Sequence, residues 1–284
     1  PVRSQSNLGV LKQDHVNIIV HGHEPVLSEM IVAASNDPEL IALSEKVGAK
    51  GINVAGICCT GNEIIMRHGI PIVGNFLQQE LAVITGAVEA MIVDVQCIMP
   101  SLGPLSECFH TKFISTSPKA KFPGATHMEF SEEKAFDIAK QIVQVAVENY
   151  SFRIPEKVLI PDDKTECMVG FSTEAIVKAL GGTLDPLLNA IKSGDIRGIA
   201  GVVGCNNPKV KHDYGHVALV RELIKNNVLV TTTGCNAIAC AKLGLMLPEA
   251  ADQAGDGLKG VCQTLGVPPV LHMGSCVDIS RILT

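Results

Sequence analysis

The residues in this chain best equipped to do chemistry are soft metal ligands. Its 284 residues include ten cysteines and nine histidines. Several stand directly after short apolar, β-branched runs. His21 and His23 follow Val16–Val20, Cys58 and Cys59 follow Ile52–Ile57, and Cys97 follows Met91–Val95. Cys205 follows Ile196–Val203, Cys235 follows Val228–Thr233, and Cys276 follows Val270–Met273. Their surroundings are alike: Gly56-Ile57-Cys58-Cys59-Thr60-Gly61-Asn62, Gly204-Cys205-Asn206, Gly234-Cys235-Asn236 and Gly274-Ser275-Cys276. A glycine beside a ligand lets the backbone come close to a bulky object. A helix beginning just after it offers N–H groups and the positive end of the helix dipole, which favour thiolate.

One cysteine after a strand is most often a small buried hydrophobe. Five cysteine positions and one histidine position sharing a single topological place favour a common metal centre over packing. Zinc is disfavoured because no Cys-x2-Cys pair occurs. Iron–sulfur clusters take thiolates and sometimes imidazole. A set of five thiolates and one imidazole exceeds the four ligands of a single [4Fe–4S] cubane, so it points to a larger or mixed-metal cluster containing iron or nickel. Gaps run from 30 residues (205 to 235) to more than 100 (97 to 205), so the fold must assemble the site.

These positions imply the elements that carry them. Apolar strands are expected at Val16–Val20, Ile52–Ile57, Ile70–Val73, Met91–Val95, Phe113–Thr116, Met168–Gly170, Ile196–Val203, Val228–Thr233 and Val270–Met273. Helical patterns lie between them: Val26–Ser35, Asp37–Lys50, about Asn62–His68, Phe76–Ala90, Ser131–Tyr150, Thr173–Leu180, Asp185–Lys192, Val217–Asn226 and Ala237–Leu243. This alternation predicts the α/β class: two doubly wound, Rossmann-like parallel-sheet domains, residues 1–155 and 156–284, the second truncated. In such sheets ligands bind at the carboxyl ends of the strands. Phe152–Lys164 is the expected linker.

With 46% hydrophobic and 18% charged residues the chain is globular. Its net charge of −6 argues against a nucleic-acid binder, and no tryptophan is present to stack on bases. The apolar stretch 82–95 is interrupted by Glu89 and Asp94, so no membrane span is expected. Ten cysteines without a secretion signal fit a reducing compartment, the cytoplasm. A chain that opens on Pro1 and stops inside an incipient helix at Ile282-Leu283-Thr284 is expected to be an interior piece of a longer protein. The glycine-rich stretch Gly198–Gly204 has the wrong spacing for a dinucleotide fingerprint and suits close sheet packing. His68, His110, His127, His212 and His216 are expected on the surface or in the core.

Longer motifs sharpen this reading. His21-Gly22-His23-Glu24-Pro25-Val26-Leu27-Ser28-Glu29, Cys58-Cys59-Thr60-Gly61-Asn62-Glu63, Met66-Arg67-His68-Gly69-Ile70-Pro71, Asp94-Val95-Gln96-Cys97, Val203-Gly204-Cys205-Asn206-Asn207, Thr233-Gly234-Cys235 and Leu271-His272-Met273-Gly274-Ser275-Cys276-Val277-Asp278 closely resemble the nickel–iron–sulfur carbon monoxide dehydrogenases of anaerobes. Phe76-Leu77-Gln78-Gln79-Glu80 leans toward the type paired with acetyl-CoA synthase. The resemblance covers nearly the whole chain. It implies a [Ni–4Fe–4S] C-cluster in which His23 and Cys59 hold the iron outside the cubane, Cys97, Cys205 and Cys235 hold cubane irons, and Cys276 binds nickel. It selects His23 over His21 and Cys59 over Cys58, which spacing alone does not. The implied reaction is CO and water to CO2, two protons and two electrons, with ferredoxin as electron partner. A homodimer, with an acetyl-CoA synthase subunit as a possible associate, is implied too.

The resemblance also implies parts that this chain lacks. One is an N-terminal helical domain with additional [4Fe–4S] clusters and proton-relay histidines. Another is an acid/base lysine nearer the C-terminus. The chain is therefore expected to be inactive alone. Ile279 stands where the family pattern suggests Asn. The nearest rival is the hybrid cluster protein, a nickel-free iron–sulfur–oxygen redox protein whose cluster uses carboxylate ligands. A nucleotide-binding module and a metal-free remnant fit less well, lacking the fingerprint and a reason for the ligand set.

Overall fold

The computed structural model describes residues 1–283; Thr284, the last residue of the expected second domain, lies outside the described residues. The chain opens with β1 (Val2–Ser6) and β2 (Val16–His21), then α1 (Pro25–Ser35) and α2 (Pro38–Lys46). β3 (Ile52–Ile57) runs straight into α3 (Cys58–His68). Next come β4 (Ile72–Gly74), α4 (Gln79–Ile84), β5 (Val88–Val93) and the single turn α5 (Leu102–Leu105). β6 (Lys112–Ser115), β7 (Ala125–His127) and α6 (Ala135–Asn149) follow. After them run β8 (Thr165–Val169), α7 (Thr173–Ala179), α8 (Asp185–Ser193), β9 (Gly198–Val202) and α9 (Tyr214–Lys225). The remainder is β10 (Val228–Thr232), α10 (Gly234–Lys242), α11 (Asp256–Leu265), β11 (Val270–His272) and α12 (Ser280–Leu283).

Two compact units result. One holds residues 7–64 and 70–164; the other holds 1–6, 65–69 and 165 onward. In the first, β7, β6, β5, β2, β3 and β4 lie side by side in that order, all parallel. Every residue of β2 and β5 is buried, which is why these strands read as continuous apolar runs. On one face Ile18, Val20 and Ile92 pack against Ile31 of α1 and Ile142 and Val143 of α6. On the other, Ile19, Met91 and Phe113 pack against Val83 of α4 and Leu102 of α5. The Asp37 carboxylate accepts the Glu39 N–H at 2.9 Å and Pro38 follows it, so α2 starts where the sequence places it.

In the second unit β9, β10 and β11 form a parallel sheet. The fold is thus the α/β, parallel-sheet class that the alternation predicts, with one departure. β1 and β8 pair antiparallel, Val2 opposite Val169 through Ser6 opposite Thr165. Both are partly exposed and carry polar residues, the pattern of a half-covered antiparallel pair.

Other boundaries moved for local reasons. The expected helix Phe76–Ala90 is a 3-10 turn followed by α4, and its last three residues belong to β5. α4 ends where the Thr85 hydroxyl donates to the Ala82 carbonyl, and Gly86 follows. The helix expected near Asn62 begins at Cys58, and residues 132–134 form a 3-10 turn before α6. β1, β7, α5 and α11 were not expected. In the proposed linker, residues 158–164 carry neither helix nor strand; Leu159 N–H donates to the Thr85 carbonyl at 2.8 Å.

The amino ends of the strands in the first unit are closed by a buried ionic knot. Glu89 is fully buried. Its carboxylate accepts from Arg153 Nε at 2.8 Å and Nη2 at 2.7 Å, and from Asn17 N–H at 2.6 Å. His110 Nε2 lies 2.8 Å from the same carboxylate. The Arg153 guanidinium also donates to the His15 and Ala87 carbonyls and stacks 4.4 Å from the Tyr150 ring. Arg153→Met would leave this carboxylate buried without its guanidinium, at a cost of about 3–5 kcal/mol. The expected result is a lowered urea midpoint. A Glu89→Leu/Arg153→Met double variant should lose less than the single variant; equal losses would refute the charge argument.

Candidate metal centre

Each predicted ligand lies at the carboxyl end of a strand in its own unit. In the first unit the chain leaves β2, turns at Gly22 and enters α1 two residues after His23, past the N-cap Glu24. The turn is built around Asp94, just past β5 and 3% exposed. Asp94 Oδ1 accepts the His23 N–H at 2.6 Å and also the Val95 N–H; Oδ2 accepts the Glu24 N–H at 3.1 Å. The Thr60 hydroxyl, next to Cys59, donates to Oδ2 at 3.4 Å, and Thr60 N–H donates to the Gly22 carbonyl at 2.9 Å. One carboxylate thus ties together the segments bearing His23, Cys59 and Cys97. Gly22 has φ +132°, and a Cβ there would collide with the Asp94 carboxylate. Burial pushes the Asp94 carboxyl up to about 6, against the pull of these N–H donors.

His23 Nδ1 lies 3.1 Å from the Val95 carbonyl. A carbonyl only accepts, so Nδ1 carries the proton and Nε2 is the lone-pair nitrogen of the neutral ring. This is the arrangement by which proteins orient a metal-binding imidazole. Burial disfavours the imidazolium, yet contact with the Cys97 thiol and the Val95 carbonyl outweighs it and raises the His23 pKa. His23 and Cys97 are therefore brought together. Cys59 is buried in the first turn of α3. There a Cβ on Gly56 would strike Gly61, so strand and helix backbones touch. Cys97 and its neighbour Gln96 both have left-handed backbones, φ +54° and +60°.

His21, the alternative to His23, does a different job. It is 1% exposed, and its Nε2 lies 3.0 Å from the Cys97 carbonyl. Gln79 Nε2 donates to that carbonyl at 3.0 Å, and Gln79 Oε1 accepts the Met99 N–H at 3.1 Å. His21 and Gln79 hold the Cys97 turn. In the sequence Asp94 stands out only as a break in the apolar stretch 82–95 and as part of a motif; a carboxylate directly after a continuous apolar strand is the signal of its role.

In the second unit Cys205 follows β9 in an exposed loop, Cys235 is the buried second residue of α10, and Cys276 opens a 3-10 turn after β11. Asn236 Nδ2 donates to the Val202 carbonyl at 2.9 Å and to Thr232 Oγ1 at 2.7 Å, fixing the start of α10 between two strand ends. Gly234 N–H donates to the Gly274 carbonyl at 3.1 Å. A Cβ on Gly234 would stand 2.5 Å from Cys276 Sγ, so that sulfur rests on bare backbone beside Cys235. The Cys276 turn is held by a capping box: Asp278 Oδ2 accepts Ser275 N–H at 2.8 Å and Ser275 Oγ at 3.0 Å.

The donor chemistry fits a soft, thiolate-rich cluster. Burial pushes the thiols of Cys167, Cys240 and Cys262 up to about 12, which makes them inert packing groups. Among the described residues no three His, Cys, Asp or Glu side chains converge as ligands of a single ion would. Ligands of a polynuclear cluster are shared out over several metal atoms and stand further apart than those of a single ion.

The whole chain, residues 1–284, matches the Prismane/CO dehydrogenase family. It is 72% identical to carbon monoxide dehydrogenase 1 of Methanosarcina mazei over 283 residues, covering 100% of this chain and 45% of that protein. It is 46% identical to the carbon monoxide dehydrogenase/acetyl-CoA synthase subunit beta of Moorella thermoacetica, covering 99% of this chain and 44% of that protein. A nickel-free crystal structure of carbon monoxide dehydrogenase from Thermococcus sp. AM4 superposes with a TM-score of 0.97 at 60% identity, over 99% of this chain and 45% of that one. The chain thus spans about half the length of these relatives.

Two outcomes follow for the site. Gly22→Ala combines a left-handed φ with a collision at Asp94, and should cost about 1–3 kcal/mol in the urea midpoint. His272 is fully buried, and burial pushes its imidazole down to about 4. The unfolded chain, with an ordinary histidine near 6.5, then binds more protons than the folded one between these values. Stability should fall as pH drops from about 6.5 to about 4, by on the order of 3 kcal/mol from this group. His272→Gln should flatten that slope; an unchanged slope would refute the assignment.

Proposed function

The chain belongs to the Prismane/CO dehydrogenase family, and on that premise we propose that it carries the ligands of a [Ni–4Fe–4S] cluster in a carbon monoxide dehydrogenase. In the full-length protein His23 and Cys59 would hold the iron outside the cubane, Cys97, Cys205 and Cys235 the cubane irons, and Cys276 the nickel. The carrying observation is that all six donors stand just past the carboxyl ends of strands, in the connecting turn or loop or at the start of the next helix. When bound, the metals would supply a site for CO and a Lewis acid that makes hydroxide available near neutral pH. The overall reaction proposed is CO and water to CO2, two protons and two electrons.

The chain's own residues supply geometry. Val95 fixes the His23 tautomer. Asp94 holds the backbones around His23 and Val95 and ties in Thr60. His21 and Gln79 set the Cys97 turn. Gly234 lets Cys276 lie against the start of α10. Holding both reactants side by side would lower the barrier to their reaction. Ferredoxin as electron partner, a homodimer, association with an acetyl-CoA synthase subunit and a cytoplasmic setting belong to the same proposal. So does a division into two Rossmann-like domains near residue 155. Among the described residues no helix is long and apolar enough to cross a membrane.

The test is elemental analysis of the full-length protein purified without oxygen, together with a Cys276→Ser variant. About one nickel per chain, with iron beyond the auxiliary clusters, is expected. Cys276→Ser should lose most of its nickel and keep its iron. Iron without nickel under nickel-replete growth would favour a hybrid-cluster reading and remove the role of Cys276. The 284-residue chain alone should show no CO-dependent viologen reduction; turnover by it would refute the need for the missing parts.

A further inference from the structure

A second buried ionic cluster lies behind two of the proposed ligands. Lys242 ends α10, the helix whose second residue is Cys235. Seven residues is two helical turns, so Lys242 and Cys235 share one face of α10. The Lys242 ammonium is only 7% exposed and sits 2.5 Å from Asp213 Oδ2. Its Nζ also lies 3.2 Å from His212 Nε2, which is itself 3.2 Å from Asp213 Oδ1. Asp213 in turn binds Asn206, the residue after Cys205: Asn206 Nδ2 donates to Asp213 Oδ1 at 2.7 Å, and Asp213 N–H donates to Asn206 Oδ1 at 2.9 Å. These two bonds close the segment 206–213 into a ring. Lys242 bolts that ring to α10.

The arrangement is costly. Lys242, Asp213 and Asn206 are all largely removed from water. A buried ion pair seldom stabilises a fold more than apolar residues of the same size would. Asp213 stands at the N-cap of α9, where an aspartate ordinarily accepts a helix N–H; here its side chain does not cap the helix. It also adopts a left-handed backbone, φ +61°. The local helix gives up a cap so that the carboxylate can reach Asn206 and Lys242.

We propose that Lys242 and Asp213 are positioning residues for the metal centre: with Asn206 they fix the Cys205 loop to the helix that carries Cys235. This rests on the ligand assignment proposed above. Without the clamp, the exposed Cys205 loop would sample many positions relative to Cys235. Metal binding would then have to order it.

The experiment uses the full-length protein, prepared without oxygen, and reads nickel and iron per chain after a chelator challenge, plus the electron paramagnetic resonance spectrum of the reduced cluster. Lys242→Met should lose retained iron and nickel together, by about tenfold, the scale of lost outer-shell support, with an altered spectrum. Lys242→Arg, which keeps the charge and the pair, should retain most of the nickel and the spectrum. Because Lys242→Met leaves a lone buried carboxylate, a Lys242→Met/Asp213→Leu double variant removes both charges. It should fold with a near-normal melting midpoint and still show the nickel loss and altered spectrum. A double variant with wild-type nickel and spectrum would reduce the pair to charge balance and overturn the proposal. So would a double variant that fails to fold. Cys205→Ser and Cys235→Ser are run alongside; wild-type metal content and spectra in both would overturn the ligand assignment itself, and this inference with it.

Discussion

A strand covered on both faces can carry almost no polar chemistry along its length. β2 and β5 are buried from end to end, so every charged or ligating group that the first unit needs must sit near one end of a strand or the other. The protein uses the two ends differently. At the amino ends, Glu89, Arg153, Asn17 and His110 satisfy one another and the surrounding carbonyls. At the carboxyl ends the chain makes the turns that carry His23 and the strand-end cysteines.

Those turns share a device. In three of them a buried acidic or amide side chain takes up backbone N–H groups that a sharp turn would otherwise leave without partners. Asp94 does so for His23, Glu24 and Val95. Asp278 does so for Ser275 beside Cys276. Asn206 does so for Asp213 beyond Cys205. An unmet buried donor costs about 1–3 kcal/mol, so these oxygens hold the turns in one shape. The positions of the sulfurs are therefore properties of the polypeptide.

Much of this was legible in the sequence because continuous β-branched runs have few other folded homes, and the residues after them must be strand ends. What could not be read depends on contacts distant in the chain. His21 and His23 are indistinguishable by spacing; the left-handed Gly22 between them sends one ring toward Cys97 and leaves the other on Val95. The Glu89–Arg153 pair joins residues 64 positions apart. Helical and strand patterns merged over residues 76–90 because β5 is buried on every side and shows no period. β1 escaped a reading tuned to apolar parallel strands and β8 was caught only at its apolar end, since both carry polar residues at half-covered positions.

The left-handed pair Gln96–Cys97 carries a consequence for anyone who would engineer this protein. Glycine at position 96 would fit φ +60° without steric objection, and a screen for thermal tolerance would reward it. The same change would hand the Cys97 turn conformations that the glutamine side chain now forbids. Selection for robustness and selection for a sharply placed sulfur pull in opposite directions at this turn. A hardened variant obtained by heat screening alone would tend to drift toward a sturdier scaffold with a blurred centre.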